Sequence, residues 1–214
     1  MGLPFTREQF FAVFADYNQA MWPAQVLLYA LALSAVVLAA RGRSMPAALL
    51  ALLWAWTGVV YHWLFFRPIN PAAPIFGGMF VAQAILCLVA AWRRRIRFAT
   101  GSWRGALGAS MIGFALLAYP AWGLLSGHPL RELPVLGVPC PTTIFTLGLL
   151  AWTQPGRSRY LLVIPILWAA IGGTAAFTLG VTQDLGLLAA GLLALLLLRP
   201  ARDDGGGAPE PPRR

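Results

Sequence analysis

Histidine, cysteine and carboxylate side chains are scarce in this sequence, so each can be weighed by its neighbours. His62 stands in Tyr61-His62-Trp63 within an apolar run. A neutral imidazole there suits a metal ligand, a haem ligand or a proton relay. It equally suits an interfacial residue whose ring nitrogens bond a neighbouring carbonyl beside belt Trp and Tyr. Cys140 stands in Gly137-Val138-Pro139-Cys140-Pro141-Thr142-Thr143. At the start of a helix the macrodipole favours a thiolate, and free N–H groups with the Thr142 and Thr143 hydroxyls could bind an anion. The alternative is capping by Thr142, with Pro139 and Pro141 shaping the entry and Cys140 packing as a small apolar residue.

Thr182-Gln183-Asp184 opens another apolar run, with Asp184 read as its N-cap, and Asn70 before Pro71 caps a third in the same way. Gln83 and Cys87 are four apart and share one helical face, pointing inward. A metal site built from His62, His128, Cys140 and Asp184 is chemically admissible, but the linear spacing does not demand it. Gly-rich phosphate loops, Gly-x-Ser-x-Gly, His-Glu-x-x-His and Cys-x-x-Cys are all absent from the sequence. No catalytic residue is therefore assigned, no cofactor is expected, and whether the chain is an enzyme stays open, with the absent motifs weighing against it.

These residues must be positioned by membrane helices. Of 214 residues 59% are hydrophobic and 11% charged, against about 25% charged in soluble domains, and the mean hydropathy is +0.70. Apolar residues come in long runs, which points to lipid. The expected spans are Trp22 to Ala40, Met45 to Phe66, Ile75 to Trp92, Trp103 to Leu125, Cys140 to Thr153, Tyr160 to Gly180 and Leu185 to Leu198. The fifth and seventh are short, about 21 Å at 1.5 Å per residue. Either they borrow flanking residues or their ends are sunk among neighbouring helices.

Residues 1–21 read as an interfacial amphipathic helix rather than a signal peptide. Thr6 and Gln9 form a capping box, Phe10, Phe14, Tyr17 and Met21 recur along one face, and Arg7, Glu8, Asp16 and Asn18 keep the other wet. Residues 22–199 are the transmembrane domain and 200–214, Gly- and Pro-rich, a disordered cytoplasmic tail. The expected fold is an all-α polytopic bundle of about seven spans.

All 16 basic residues are Arg. Thirteen fall on one side of the alternating spans and three, Arg7, Arg67 and Arg131, on the other. The Arg-rich side is expected to be cytoplasmic, placing the N-terminus outside. Loop placement accounts for the +9 charge, so no nucleic-acid partner is expected. The same orientation puts His62, Asn70, His128, Cys140, Thr142, Thr143 and Asp184 at or near the outer side. Ala169, Gly173, Ala176 and Gly180 form a small-residue face suited to close helix packing, with a second copy or a membrane partner as possible occupants.

Four stretches together, Pro4-Phe5-Thr6 to Gln25, Tyr61-His62-Trp63 through Ala73, Pro139 through Gly148, and Ile171-Gly172-Gly173 through Gly186, resemble an uncharacterised family of bacterial integral membrane proteins, a domain of unknown function whose members are sometimes labelled permease. The resemblance covers residue 3 to about 198. It implies a multi-pass protein of the bacterial inner membrane and carries over no functional residue. Together with the polar helix starts, it points first to a small-solute or ion permease with an outward-facing site. A metal-binding or redox enzyme using His62, His128 and Cys140, or an accessory subunit of a membrane complex, are the other readings. The topology is tested by reporter fusions: a cytoplasm-dependent reporter joined after residue 200 is active, and an export-dependent one inserted at 126–129 is active. The reverse pair of results contradicts the orientation.

Overall fold

The protein is described from a computed structural model, covering residues 3–94, 96–154, 156 and 159–198; the expected tail, 200–214, lies outside the described residues. The described chain is all-helical, with two isolated bridges, Phe98 to Thr153 and Leu136 to Val138. We number seven helical segments: α1 Arg7–Ala40, α2 Pro46–Phe66, α3 Ala73–Trp92, α4 Trp103–Leu125, α5 Pro139–Ala151, α6 Arg159–Thr178 and α7 Asp184–Leu197. Five of them, all but α5 and α7, are long and apolar enough to cross a membrane. Leu27, Leu52, Ile85, Leu117 and Leu192 are exposed around the bundle, an exterior that water would not favour.

The start of α1 follows from its residues. The Thr6 hydroxyl accepts from Gln9 N at 3.2 Å, and Gln9 Oε1 accepts from Thr6 N at 2.8 Å, the reciprocal capping box read from the sequence. The helix does not stop at residue 21. One helix runs 34 residues with Pro23 inside it, and its aromatic face meets protein rather than an interface. Phe10, Phe14 and Tyr17 are buried against Tyr61, Phe65 and Phe66 of α2. Nor is Asn18 on a wet side: its amide donates to Arg131 O at 2.7 Å and Leu133 O at 2.8 Å and accepts from Gln25 Nε2 at 2.6 Å. These bonds tie α1 to the long connection between α4 and α5.

Helix α5 is the centre of the bundle. It contacts α2, α4, α6 and α7, and all its residues except Cys140 are buried. A helix surrounded in this way must be apolar all round and must satisfy its polar groups internally. Thr143 and Thr146 donate to Pro139 O and Thr142 O, each at 2.8 Å. Trp54 of α2 donates its indole N–H to Thr146 at 2.8 Å. Both ends of α5 are sunk, as its length requires. Leu136, Gly137 and Val138 before it are buried, and after it Ala99 N donates to Trp152 O and Gln154 N to Arg97 O.

Glycine pairs set the helix spacings. A Cβ on Gly108 of α4 would stand 2.5 Å from Gly148 O, and one on Gly148 2.8 Å from Gly108 O. Gly58 of α2 and Gly77 of α3 are matched in the same way, each 2.9 Å from the other's carbonyl. The small-residue face of α6 is largely used within the chain. Ala169 packs on Gly191, and a Cβ on Gly173 would be 2.3 Å from Leu188. That part of the face is covered by α7 within the chain. Gly148→Val is expected to destabilise the protein by about 1–3 kcal/mol through overpacking, read as a lower melting temperature in detergent. Gly113→Ala, where a Cβ meets nothing within 4 Å, serves as the neutral control.

Candidate functional site

At the end of the bundle where α5 begins, the helices enclose a cavity of about 280 Å³. Its wall is mostly apolar, with the rings of Phe10, Phe14, Tyr61, Phe66, Phe76 and Trp168 on it, and Leu3–Phe5 contribute to the lining. The polar side chains on it are His62, Asn70 and Cys140, with Thr174 and Thr178 at its edge.

His62 reaches the cavity because the second half of α2, Thr57–Phe66, is wound as a π-helix. Arg67 N donates to His62 O five residues back, at 3.0 Å. Such wide turns are rare and are often found at functional sites. The His62 side chain is fully buried, its ring centroid 4.8 Å from Phe80 and 5.3 Å from Trp168. Neither ring nitrogen has a hydrogen-bond partner among the described residues, and the Trp168 indole N–H has only the neighbouring Cys140 thiol beside it. Leaving a buried polar atom unpaired costs about 1–3 kcal/mol, so these atoms around one cavity call for an explanation.

Behind Cys140 lies a second polar group. Helix α4 also contains a π stretch, Phe114–Ala118, and Tyr119 follows it, donating its N–H to Phe114 O. The Tyr119 hydroxyl donates a hydrogen bond to Asp184 Oδ1. Both side chains are fully buried. The Cys140 thiol adjoins this carboxylate and phenol as well as the Trp168 indole, and the exposed part of Cys140 faces the cavity. A chain of polar atoms thus runs from α7 through α4 to the cavity wall.

The other expected site residues are distributed differently. Asn70 lines the cavity, its Oδ1 accepting from Ala72 N at 2.9 Å to shape the turn into α3. Thr142 and Thr143 are not an anion cradle: Thr142 Oγ1 accepts from Gly137 N at 3.1 Å and Thr143 donates to Pro139 O. Asp184 is not an N-cap, since Gln183 occupies that position and makes no side-chain cap, while the Asp184 carboxylate turns to Tyr119. Gln83 and Cys87 do share an inward face, with Gln83 Nε2 donating to Leu161 O at 2.9 Å and to Cys87 Sγ at 3.7 Å, but neither lines the cavity. His128 is elsewhere, stacked on Phe11 at 4.3 Å in a separate surface pocket with Arg7, Glu8 and Glu132. His62, His128 and Cys140 are therefore not a metal-ligand set, and no group of three or more His, Cys, Asp or Glu is so placed among the described residues. Sequence reasoning missed Tyr119 and Trp168, whose aromatic rings in apolar runs look like packing.

A model of DUF6064, a family of unknown function, matches residues 7–205. The chain belongs to this family. No curated protein and no solved structure matches it. The DUF6064 match takes in all seven helices, and every cavity-lining residue except Leu3, Pro4 and Phe5 lies inside it. The Tyr119–Asp184 bond is the most buried polar contact of this site. Tyr119→Phe removes its donor and is expected to lower stability by about 1–3 kcal/mol, measured as thermal unfolding in detergent, whereas the double variant Tyr119→Phe, Asp184→Asn recovers part of the loss. No recovery contradicts a direct bond as the cause.

Proposed function

We propose that this chain is a polytopic membrane protein of the bacterial inner membrane, N-terminus outside and C-terminus cytoplasmic, which binds a small solute in the cavity at its outer end and acts as a permease-like carrier. The thirteen-to-three division of Arg supports the orientation. The seven apolar helices support a membrane location, with α5 held at the bundle centre by the others.

The observation that carries the reading is His62. An imidazole with both nitrogens unbonded in a mostly apolar cavity, near an indole N–H that has only a thiol beside it, is a waiting hydrogen-bonding set. It can donate from one ring nitrogen and from Trp168, and accept at the other ring nitrogen. The matching solute is small, largely apolar, and carries one group that both accepts and donates, such as a hydroxyl. Such a pocket, mainly apolar with a few convergent polar atoms, is the common form of a small-molecule site.

Replacing His62 by Phe tests this directly. The substitution removes unpaired buried nitrogens, so it is expected to raise stability by about 1–2 kcal/mol while abolishing binding and flux of small phenols and alcohols in proteoliposomes. Binding is read as a change in tryptophan fluorescence, since Trp168 lines the cavity. A His62→Phe protein that is less stable and transports as well as the parent contradicts the proposal.

A further inference from the structure

At the end of the bundle opposite the cavity, three connections meet: the turn after α1, the segment between α3 and α4, and the one after α5. Their backbones are pinned together. Phe98 bridges to Thr153, Gln154 N donates to Arg97 O at 3.0 Å, and Gly42, at φ +67°, lies against Phe98 O. Between them is a pocket of about 450 Å³ whose polar lining is Arg43, Ser44, Arg94, Arg97 and Gln154. We infer that this pocket binds a phosphate group, of the kind an anionic phospholipid headgroup presents.

Three arginines line this pocket with no carboxylate in the lining. The acidic residues among the described ones are Glu8, Asp16, Glu132 and Asp184; all belong to the other end or to the Tyr119 contact. The ion pair found among the described residues joins Arg131 to Glu132, also at the other end. Arg104, close by, is engaged with Ala151 O, whereas Arg43, Arg94 and Arg97 are exposed and make no side-chain hydrogen bond among the described residues. Topology alone asks only for positive charge somewhere in these loops. It does not ask for three arginines around one concavity with a hydroxyl and an amide beside them.

Arg94 enters the lining where α3 stops: it has φ +46° and its N–H donates to Ala91 O at 3.0 Å, the left-handed turn that ends many helices. Guanidinium forks match phosphate oxygens in bidentate fashion. The flanking Trp92 and Trp103 are 81% and 59% exposed, as indoles at headgroup depth are. Basic pockets at helix ends on one membrane side are where anionic headgroups bind.

The lipid source rests on the membrane reading above, and the two can fail separately. Release of the protein from membranes by alkaline carbonate without detergent overturns the membrane reading. The pocket is tested on the purified full chain in neutral detergent, titrated with short-chain phosphatidylglycerol, short-chain phosphatidylcholine and inorganic phosphate, with native mass spectrometry as readout. Phosphatidylglycerol is expected to bind at least about tenfold more tightly than phosphatidylcholine, weakening with salt. Arg43→Gln and Arg97→Gln each reduce that affinity about fivefold, and together more, with unchanged melting temperatures; Arg131→Gln at the other end changes nothing. Inorganic phosphate that binds as tightly and displaces the lipid assigns the site to free phosphate. Equal affinity for the two lipids together with no phosphate binding, or affinity unchanged in both Arg variants, overturns the inference; if one variant does not fold, the other decides.

Discussion

Helix α5 is enclosed by four other helices, and all its residues except Cys140 are buried. Its hydroxyls and the Trp54 indole that touches it must therefore be paired within the chain, and they are. Thr143 and Thr146 bond back along the helix, Trp54 bonds Thr146, and Thr142 takes the Gly137 N–H. Four neighbouring helices take their places from contact with this one element, with Gly108 and Gly148 fixing the tightest approach. Because α5 has 13 residues, about 20 Å at 1.5 Å per residue, it ends inside the bundle. The space beyond its first turn is the cavity, with Val138, Pro139 and Cys140 in its wall.

Buried side-chain atoms without a partner also occur at Gln83 and Gln183, away from the cavity; the cluster that opens onto a space is that of His62 and Trp168. His62 and Trp168 come from different helices, and both meet at the cavity. Two π stretches bring the polar side chains of α2 and α4 inward, one holding His62 and the other preceding Tyr119. A π turn gives up ordinary helical hydrogen bonding, so a fold retains it where displacing a side chain has a use. The Asp184–Tyr119 bond and the adjoining Cys140 thiol then connect the cavity wall to α7, so that a change at the cavity can be felt at a buried carboxylate.

The helices were legible because apolar runs bounded by Arg, Pro and Gly are a coarse signal that survives any packing. The Thr6–Gln9 box and the Gln83–Cys87 pair were legible too, since both depend on spacing along one helix. What was hidden depends on contacts between helices. The Phe10, Phe14 and Tyr17 face looks the same whether it meets lipid headgroups or Tyr61 and Phe66. Thr142 and Thr143 read as available because their backbone partners, the Gly137 N–H and Pro139 O, lie about a turn away and are not encoded in residue type. Tyr119 was hidden for the opposite reason: hydropathy does not encode a shift from four- to five-residue hydrogen bonding. His128 was grouped with His62 by element and side, and only the stacking on Phe11 separates them.

The central claim is that the unpaired atoms of His62 and Trp168 await a bound solute. An experimental density map of the protein purified from its native membrane in mild detergent addresses it most directly. The account predicts density for a small molecule in the cavity, with a polar atom within about 3 Å of a His62 ring nitrogen or of Trp168 Nε1. A dry, empty cavity, with the His62 ring turned to bond a neighbouring carbonyl, would contradict it.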